Sequence, residues 1–353
     1  MNTAAIQKTL LNSKTDALII TSPENIFYFS GFKSADAVLL LTSSDCFIFT
    51  DSRHFIQAGE QAPFFTLCDI SIETVASKIK EEGYRTIGFE DDFITYSSYS
   101  KLHSDLSPYG AELVGISRII SRERQIKTEK EIEHIKTAAQ IADRAFSFIL
   151  DKIEPGKTEK DIALMLDYYM LKSGAEAIAF ETICASGKRS AMPHGVASDK
   201  IIEKGDFITL DFGCKYEGYC SDMTRTVVCG KATSEQKKIY NTVLAAQKAA
   251  IAEVKPNVDN AYIDSVARNI IKDAGYGKNF GHALGHSLGL NVHESPVLSK
   301  RSVDKLKSGI LMTVEPGIYV ENFGGVRIED LLVVTYNGHI NLTTSEKELI
   351  ELK

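Results

Sequence analysis

The chain has 353 residues, 44% of them hydrophobic and 25% charged, ordinary proportions for a globular protein. That length is long for one domain and suits two, at roughly 150 residues each. A net charge of −7 argues against a nucleic-acid partner, since proteins of that class present a basic surface.

The opening residues, MNTAAIQKTLLNSKTDALIITS, lack the charged, apolar and small-residue segments of a signal peptide. The longest apolar runs, such as Ala37–Leu41, fall far short of the ~20 residues that cross a bilayer. No membrane association is expected, and a cytoplasmic setting is. The six cysteines (46, 68, 184, 214, 220 and 229) form no CxxC pair, which predicts reduced, mostly buried thiols rather than a disulfide framework.

Along the first ~115 residues, short apolar runs alternate with helical patterns. Ala17–Thr21, Ala37–Thr42, Cys46–Thr50 and Thr86–Glu90 read as strands; Asn2–Ser13, Arg53–Gln61 and Ile72–Glu82 read as helices. This predicts an α/β domain over 1–120. The charged stretch SRERQIKTEKEIEHIK marks a boundary, and Thr128 with Glu131 forms a T-x-x-E capping box at a helix start. The helix that follows sets Ile132, Ile135, Ala139, Ala142, Phe146 and Ile149 on one face.

The second domain, expected over 125–353, carries an internal repeat. PGKTEKDIALMLDYYMLKSGA from Pro155 and PNVDNAYIDSVARNIIKDAGY from Pro256 superpose at an offset of 101, aligning Ile162 with Ile263 and Gly174 with Gly275. Each copy follows a longer helical stretch, 128–150 and 234–254. Two such units predict a cleft between them, where a site can form.

Two carboxylate pairs carry the chemistry. Asp211 and Asp222 flank a turn near Tyr216–Gly218, and Glu315 and Glu329 flank Asn322. In antiparallel hairpins each pair would face across the strands, ~5 Å apart. Facing like charges destabilise a hairpin unless something neutralises them, and a shared divalent cation does so. Between the pairs, NFGHALGHSLGLNVHE holds His282, His286 and His293. The His282/His286 spacing fits an H-E-x-x-H helix, but Ala283 occupies the glutamate position, and Gly281, Gly285 and Gly289 disfavour a helix.

These motifs resemble those of the pita-bread metallopeptidases, specifically Xaa-Pro aminopeptidases and Xaa-Pro dipeptidases (prolidases). The resemblance rests on Asp211 and Asp222 in LDFGCKYEGYCSDMTRT, His286 in GHALGHSLGL, Glu315 in TVEPGIY and Glu329 in VRIED. It implies an α/β N-terminal domain followed by an α+β pita-bread catalytic domain of the creatinase and methionine-aminopeptidase kind. ENIFYFSGF and FTDSRHFIQA are similar to the N-terminal domain of the same subgroup.

The resemblance also implies the roles. Asp211, Asp222, His286, Glu315 and Glu329 would hold two divalent metal ions, with Asp222 and Glu329 bridging. Four carboxylates and one imidazole suit Mn²⁺ or Co²⁺ better than thiophilic ions. Glu315 would serve as base, His293 and His194 as hydrogen-bond donors to the scissile carbonyl, and Arg327 as a clamp on Glu329 or substrate. His282 would line a proline pocket. The implied substrates are peptides with proline at the second position, and a homodimer is expected. Some relatives carry arginine where HESPV has Val297. That difference favours an aminopeptidase over a dipeptidase, although Arg301 lies close by. A non-catalytic peptide-binding homologue is the remaining alternative.

Overall fold

The structure, a computed structural model, describes residues 3–352. The chain divides into two compact units that meet at Arg124 and Gln125. Among the described residues no helix is long and apolar enough to cross a membrane, and all six cysteines are free, five of them buried.

The first unit is a six-stranded mixed sheet ordered Thr66–Asp69, Cys46–Thr50, Ala37–Thr42, Ala17–Ile20, Thr86–Phe89, Glu112–Gly115. Strand 37–42 pairs antiparallel with both 17–20 and 46–50, and the pairings outward to 66–69 and 86–89 are parallel. Strand periodicity explains why both faces are covered. Leu18, Ile20, Leu39, Leu41 and Ile48 enter one apolar cluster, and Ala17, Ile19, Leu40, Phe47 and Phe49 enter the other. Helices Thr3–Ser13 and Pro23–Ser30 pack on the first face, Val75–Glu82 on the second.

The expected elements are present with shifted ends. The first helix begins at Thr3, Asn2 lying outside the described residues. Ser52–His54 is a 3₁₀ turn that leads into Phe55–Gln61. Thr74 and Ser77 cap each other reciprocally, so the next helix starts at Val75 rather than Ile72. Pro23–Ser30 was not anticipated, although Ser22 caps it, Pro23 opens it and Gly31 closes it at φ 85°. The strands at 112–115 and 66–69 and helix Tyr96–Leu106 are likewise additions.

The second unit pairs helices Glu129–Leu150 with Glu159–Lys172, and Ser234–Ala252 with Asn260–Ile271. The Thr128/Glu131 box caps the first as expected, and Ile135, Ala139, Ala142, Phe146 and Ile149 are buried, with Ile132 only partly so. Each helix pair backs its own cluster of strands. The 101-residue offset is preserved in backbone detail. Gly156 N–H donates to Ile202 O and Asn257 N–H to Leu306 O; Ile202 N–H donates to Lys157 O and Leu306 N–H to Val258 O. Gly156 and Asn257 both have positive φ, as do Gly174 and Gly275, and Ile162 and Ile263 are both fully buried.

Between the helix pairs, strands Ile183–Ser186, Phe207–Phe212, Met223–Cys229 and Glu351–Leu352 form one sheet, and Leu311–Val314, Asp330–Val334 and His339–Asn341 another. The backbone at Gly213 runs so close to Ser221 that a Cβ there would lie 1.9 Å from its carbonyl oxygen. Gly156, at φ 98°, has open space around a Cβ. Gly213→Ala is therefore expected to cost ~3 kcal/mol through backbone overpacking, against ~1 kcal/mol for Gly156→Ala, which meets only the left-handed penalty. Thermal melts of the two variants test this, and equal losses would contradict the close-approach account.

Candidate metal centre

The Asp211 and Asp222 hairpin departs from the expected pairing. Asp211 lies opposite Thr224 and Phe212 opposite Met223, and beyond them Lys215 pairs with Cys220 and Tyr216 with Tyr219. The connection is a two-residue turn with positive φ at both Glu217 (47°) and Gly218 (80°), the signature of a type I′ hairpin. A turn centred there places Asp222 two residues from the partner of Asp211. The two carboxylates are diagonal neighbours on one face, ~7–8 Å apart at Cα, rather than directly opposed.

The second hairpin follows the expected register. Val314 pairs with Asp330 and Gly317 with Arg327, which sets Glu315 across from Glu329 in the gap between two ladders. In that gap the backbone amides bond elsewhere: Glu315 N–H to Leu284 O, and Glu329 N–H to Thr224 O. The second bond joins the two hairpins. Asn322, at φ 61°, lies in the turn.

His286 sits on the short strand Gly285–Ser287, across from Val297. A Cβ at Gly285 would lie 2.0 Å from Thr313 O, so the glycine lets this strand press against the Glu315 strand. The Nδ1 of His286 lies 3.1 Å from Ser287 O. That contact orients the ring with Nδ1 on the backbone and Nε2 towards the carboxylates, 3.3 Å from Glu315 Oε1 and 3.6 Å from Asp222 Oδ2.

The expected residues thus converge on one cavity of about 370 Å³, lined by Asp211, Asp222, His286, Glu315, Glu329 and Arg327, with His194, His282 and His293. Ligand atoms of Asp222, His286 and Glu329 lie within 4.8 Å of one another. Asp211 Oδ1, Asp222 Oδ1 and Glu329 Oε1 are buried and make no hydrogen bond. Orphaned buried carboxylate oxygens are costly, and three of them on residues that line one cavity fit the donor set of a hard divalent cation.

The electrostatics carry the same demand. Burial first, and then the charges of Glu329, Asp211 and Glu315, push the Asp222 carboxyl well above its usual range. Burial followed by Glu315 and Asp211 does the same to Glu329. At Glu315 burial acts upward, but the His286 hydrogen bond and charge outweigh it and hold the carboxyl down at about 2. A cation among these oxygens would replace the proton that burial otherwise forces on the pair.

Arg327, 3% exposed, has a different partner from the one expected. It does not grip Glu329: Nη2 donates to Asp211 Oδ2 (2.5 Å), Nε to Thr224 Oγ1, and Nη1 to Pro193 O and Tyr319 OH. Thr224 Oγ1 in turn donates to Glu329 Oε2 at 2.7 Å, so a threonine links Arg327 to Glu329. His282 contacts Tyr319 OH through Nε2 and Ala283 O through Nδ1. His293 lies edge-on to His286, with centroids 4.5 Å apart, and burial followed by the neighbouring His286 lowers its pKa. Arg301 is not among the cavity residues, and Val297 is 37% exposed on the strand beside His286.

Sequence reading missed Thr224, Thr313 and Tyr319. Thr224 was legible only through the hairpin register that pairs it with Asp211. Thr313 Oγ1 donates to Glu315 Oε1 and accepts from His286 N–H, and two-residue strand spacing from Glu315 was its signal. The apolar cavity wall of Phe180, Ile183, Val196, Ala283 and Val292 had no motif to announce it.

Comparison with known proteins bears on this geometry. Residues 133–336 match Metallopeptidase family M24, and residues 3–126 match the Creatinase/Prolidase N-terminal domain. The chain is 40% identical to the Xaa-Pro dipeptidase of Pyrococcus horikoshii over 95% of its length and 94% of that protein. Among solved structures it is similar to an Xaa-Pro dipeptidase from Bacillus anthracis (42% identity, 99% of both chains, TM-score 0.94). It is also similar to an X-Pro aminopeptidase from Thermotoga maritima (38% identity, 98% and 99% of the chains, TM-score 0.90). These likenesses place the expected pita-bread architecture on the second unit. The chain belongs to metallopeptidase family M24 and carries the creatinase/prolidase N-terminal domain.

Proposed function

We propose that this chain hydrolyses the peptide bond between an N-terminal residue and a following proline, with Xaa-Pro dipeptides as its main substrates. The observation that carries the reading is the cluster of orphaned carboxylate oxygens around His286, in a chain whose relatives over nearly its full length are named Xaa-Pro dipeptidases. This reverses the order expected from Val297. The aminopeptidase remains the second reading on a specific observation. Arg327 is the cation of the cavity, and its donors are engaged with Asp211, Thr224, Pro193 and Tyr319. That leaves it unsuited to grip the free carboxylate of a dipeptide.

In this reading Asp211, Asp222, His286, Glu315 and Glu329 hold two divalent ions, Mn²⁺ or Co²⁺ by the hardness of the donors. When bound, such ions polarise the scissile carbonyl and acidify the attacking water. Glu315, kept ionised beside His286, accepts the water's proton and delivers it to the proline nitrogen, which leaves as an amine. His293, whose lowered pKa keeps it neutral, and His194 donate hydrogen bonds to the developing oxyanion. The apolar wall and His282 receive the proline ring, and an Xaa-Pro amide has no N–H to leave unpaired there. Arg327 acts by positioning Asp211.

Asp222→Asn removes one charge from the crowded cluster and one ligand. The metal-free variant is expected to melt no lower than metal-free wild type, while the rise in Tm on adding Mn²⁺ is lost. For wild type that rise corresponds to ~2.7 kcal/mol at a hundredfold excess over Kd. A persistent metal-induced shift in the variant would contradict the ligand assignment.

His293→Ala is expected to keep its metal, by elemental analysis, and to lose ~10²–10³ in kcat. Loss of metal instead would move His293 into the ligand set. Substrate length separates the two readings. As a dipeptidase the protein should cleave Xaa-Pro at least about a hundredfold better than Xaa-Pro-Xaa in kcat/KM, the penalty for an unpaired carboxylate anchor. Equal or better cleavage of the tripeptide would establish the aminopeptidase.

A further inference from the structure

We propose that Lys127, through its buried ion pair with Glu294, is a positioning residue for His293. The inference rests on the reading of His293 as the donor to the substrate carbonyl.

The reason lies in what packs behind the two histidines. Gly285–Ser287 and Glu294–Leu298 pair antiparallel, with a register shift between His286 and Ser287, and residues 288–293 form the loop between them. His286, Val292 and His293 face the cavity. Their chain neighbours Ser287 and Glu294 do not line the cavity; Ser287 is fully buried and the Glu294 side chain is 9% exposed. Lys127 Nζ sits beneath that back face, 3.1 Å from Glu294 Oε2 and 3.5 Å from Ser287 Oγ. One ammonium therefore braces both strands directly behind the two histidines.

Glu294 extends the brace into the loop, because its Oε1 accepts from Asn291 N–H at 3.1 Å. Space beneath the loop is already filled. A Cβ at Gly289 would lie 2.8 Å from Glu294 Oε2 and 3.0 Å from Lys127 Cε. The anchor itself is fixed: Lys127 N–H donates to Gly309 O, and Thr128, the next residue, caps helix Glu129–Leu150. Lys127 is not among the residues that line the cavity, and its ammonium contacts the hairpin from behind. Buried ion pairs contribute little net stability compared with apolar replacements, which leaves orientation as what this one supplies.

The test is a cycle on the Mn²⁺-loaded enzyme with an Xaa-Pro substrate: Lys127→Met/Glu294→Gln, His293→Ala, and the three changes combined. Removing both charges together avoids a stranded one. The expected result is a kcat lowered ~10-fold by the paired change, with KM within about threefold and bound metal unchanged. On the His293→Ala background the same change should alter kcat by less than about twofold, because its effect passes through a ring no longer there. Wild-type kcat in the paired variant, or a full ~10-fold loss repeated on His293→Ala, would overturn the proposal. If the paired variant melts below the assay temperature, Glu294→Gln alone, which keeps an acceptor for Asn291, is read in the same cycle. Wild-type kcat in His293→Ala alone would instead overturn the role of His293 itself.

Discussion

Four carboxylates turned into one buried space repel one another, and much of the second unit is arranged to make that tolerable. Asp222 and Glu329 are both driven towards protonation by burial and by their neighbours. Arg327 supplies one fixed positive charge at Asp211, and His286 faces Glu315 and Asp222. These do not reach the orphaned oxygens of Asp211, Asp222 and Glu329. In the proposed reading divalent cations would supply what is missing, and the crowding itself would select such a ligand.

The supports behind the cluster follow from that constraint. Arg225, 1% exposed, donates to the carbonyls of Thr224 and Glu329 and pairs with Asp330, which Lys347 also contacts. This holds the backbone of the two hairpins together from behind. Gly213 permits the close approach to Ser221 within the aspartate hairpin, and Gly285 lets the His286 strand press on Thr313, two residues from Glu315. The pseudo-repeat supplies the frame: each helix pair carries one acidic hairpin, and the cavity lies between them.

How much of this was legible in the sequence depended on what set each feature. The glutamate pair was read in register because the turn around Asn322 is symmetric about it. The aspartate pair was misread by two residues, because φ at Glu217 and Gly218 fixes the turn there and a midpoint cannot reveal backbone handedness. Arg327 was recognised, but its partner was not. Its reach to Asp211 depends on the packing of one hairpin on another, which no local pattern encodes. Helix Pro23–Ser30 was missed despite a readable cap at each end, since its short apolar stretch carries little periodicity. The buried brace of Lys127 and Glu294 joins residues 167 apart, a distance at which sequence offers no cue.

The central claim is that the orphaned oxygens are ligands of two divalent ions. Anomalous diffraction from crystals grown with Mn²⁺ tests it most directly. Two peaks ~3.5–4 Å apart, with Asp222 and Glu329 contacting both and His286 one, are the predicted result. A single peak, or peaks away from these oxygens, would contradict the account.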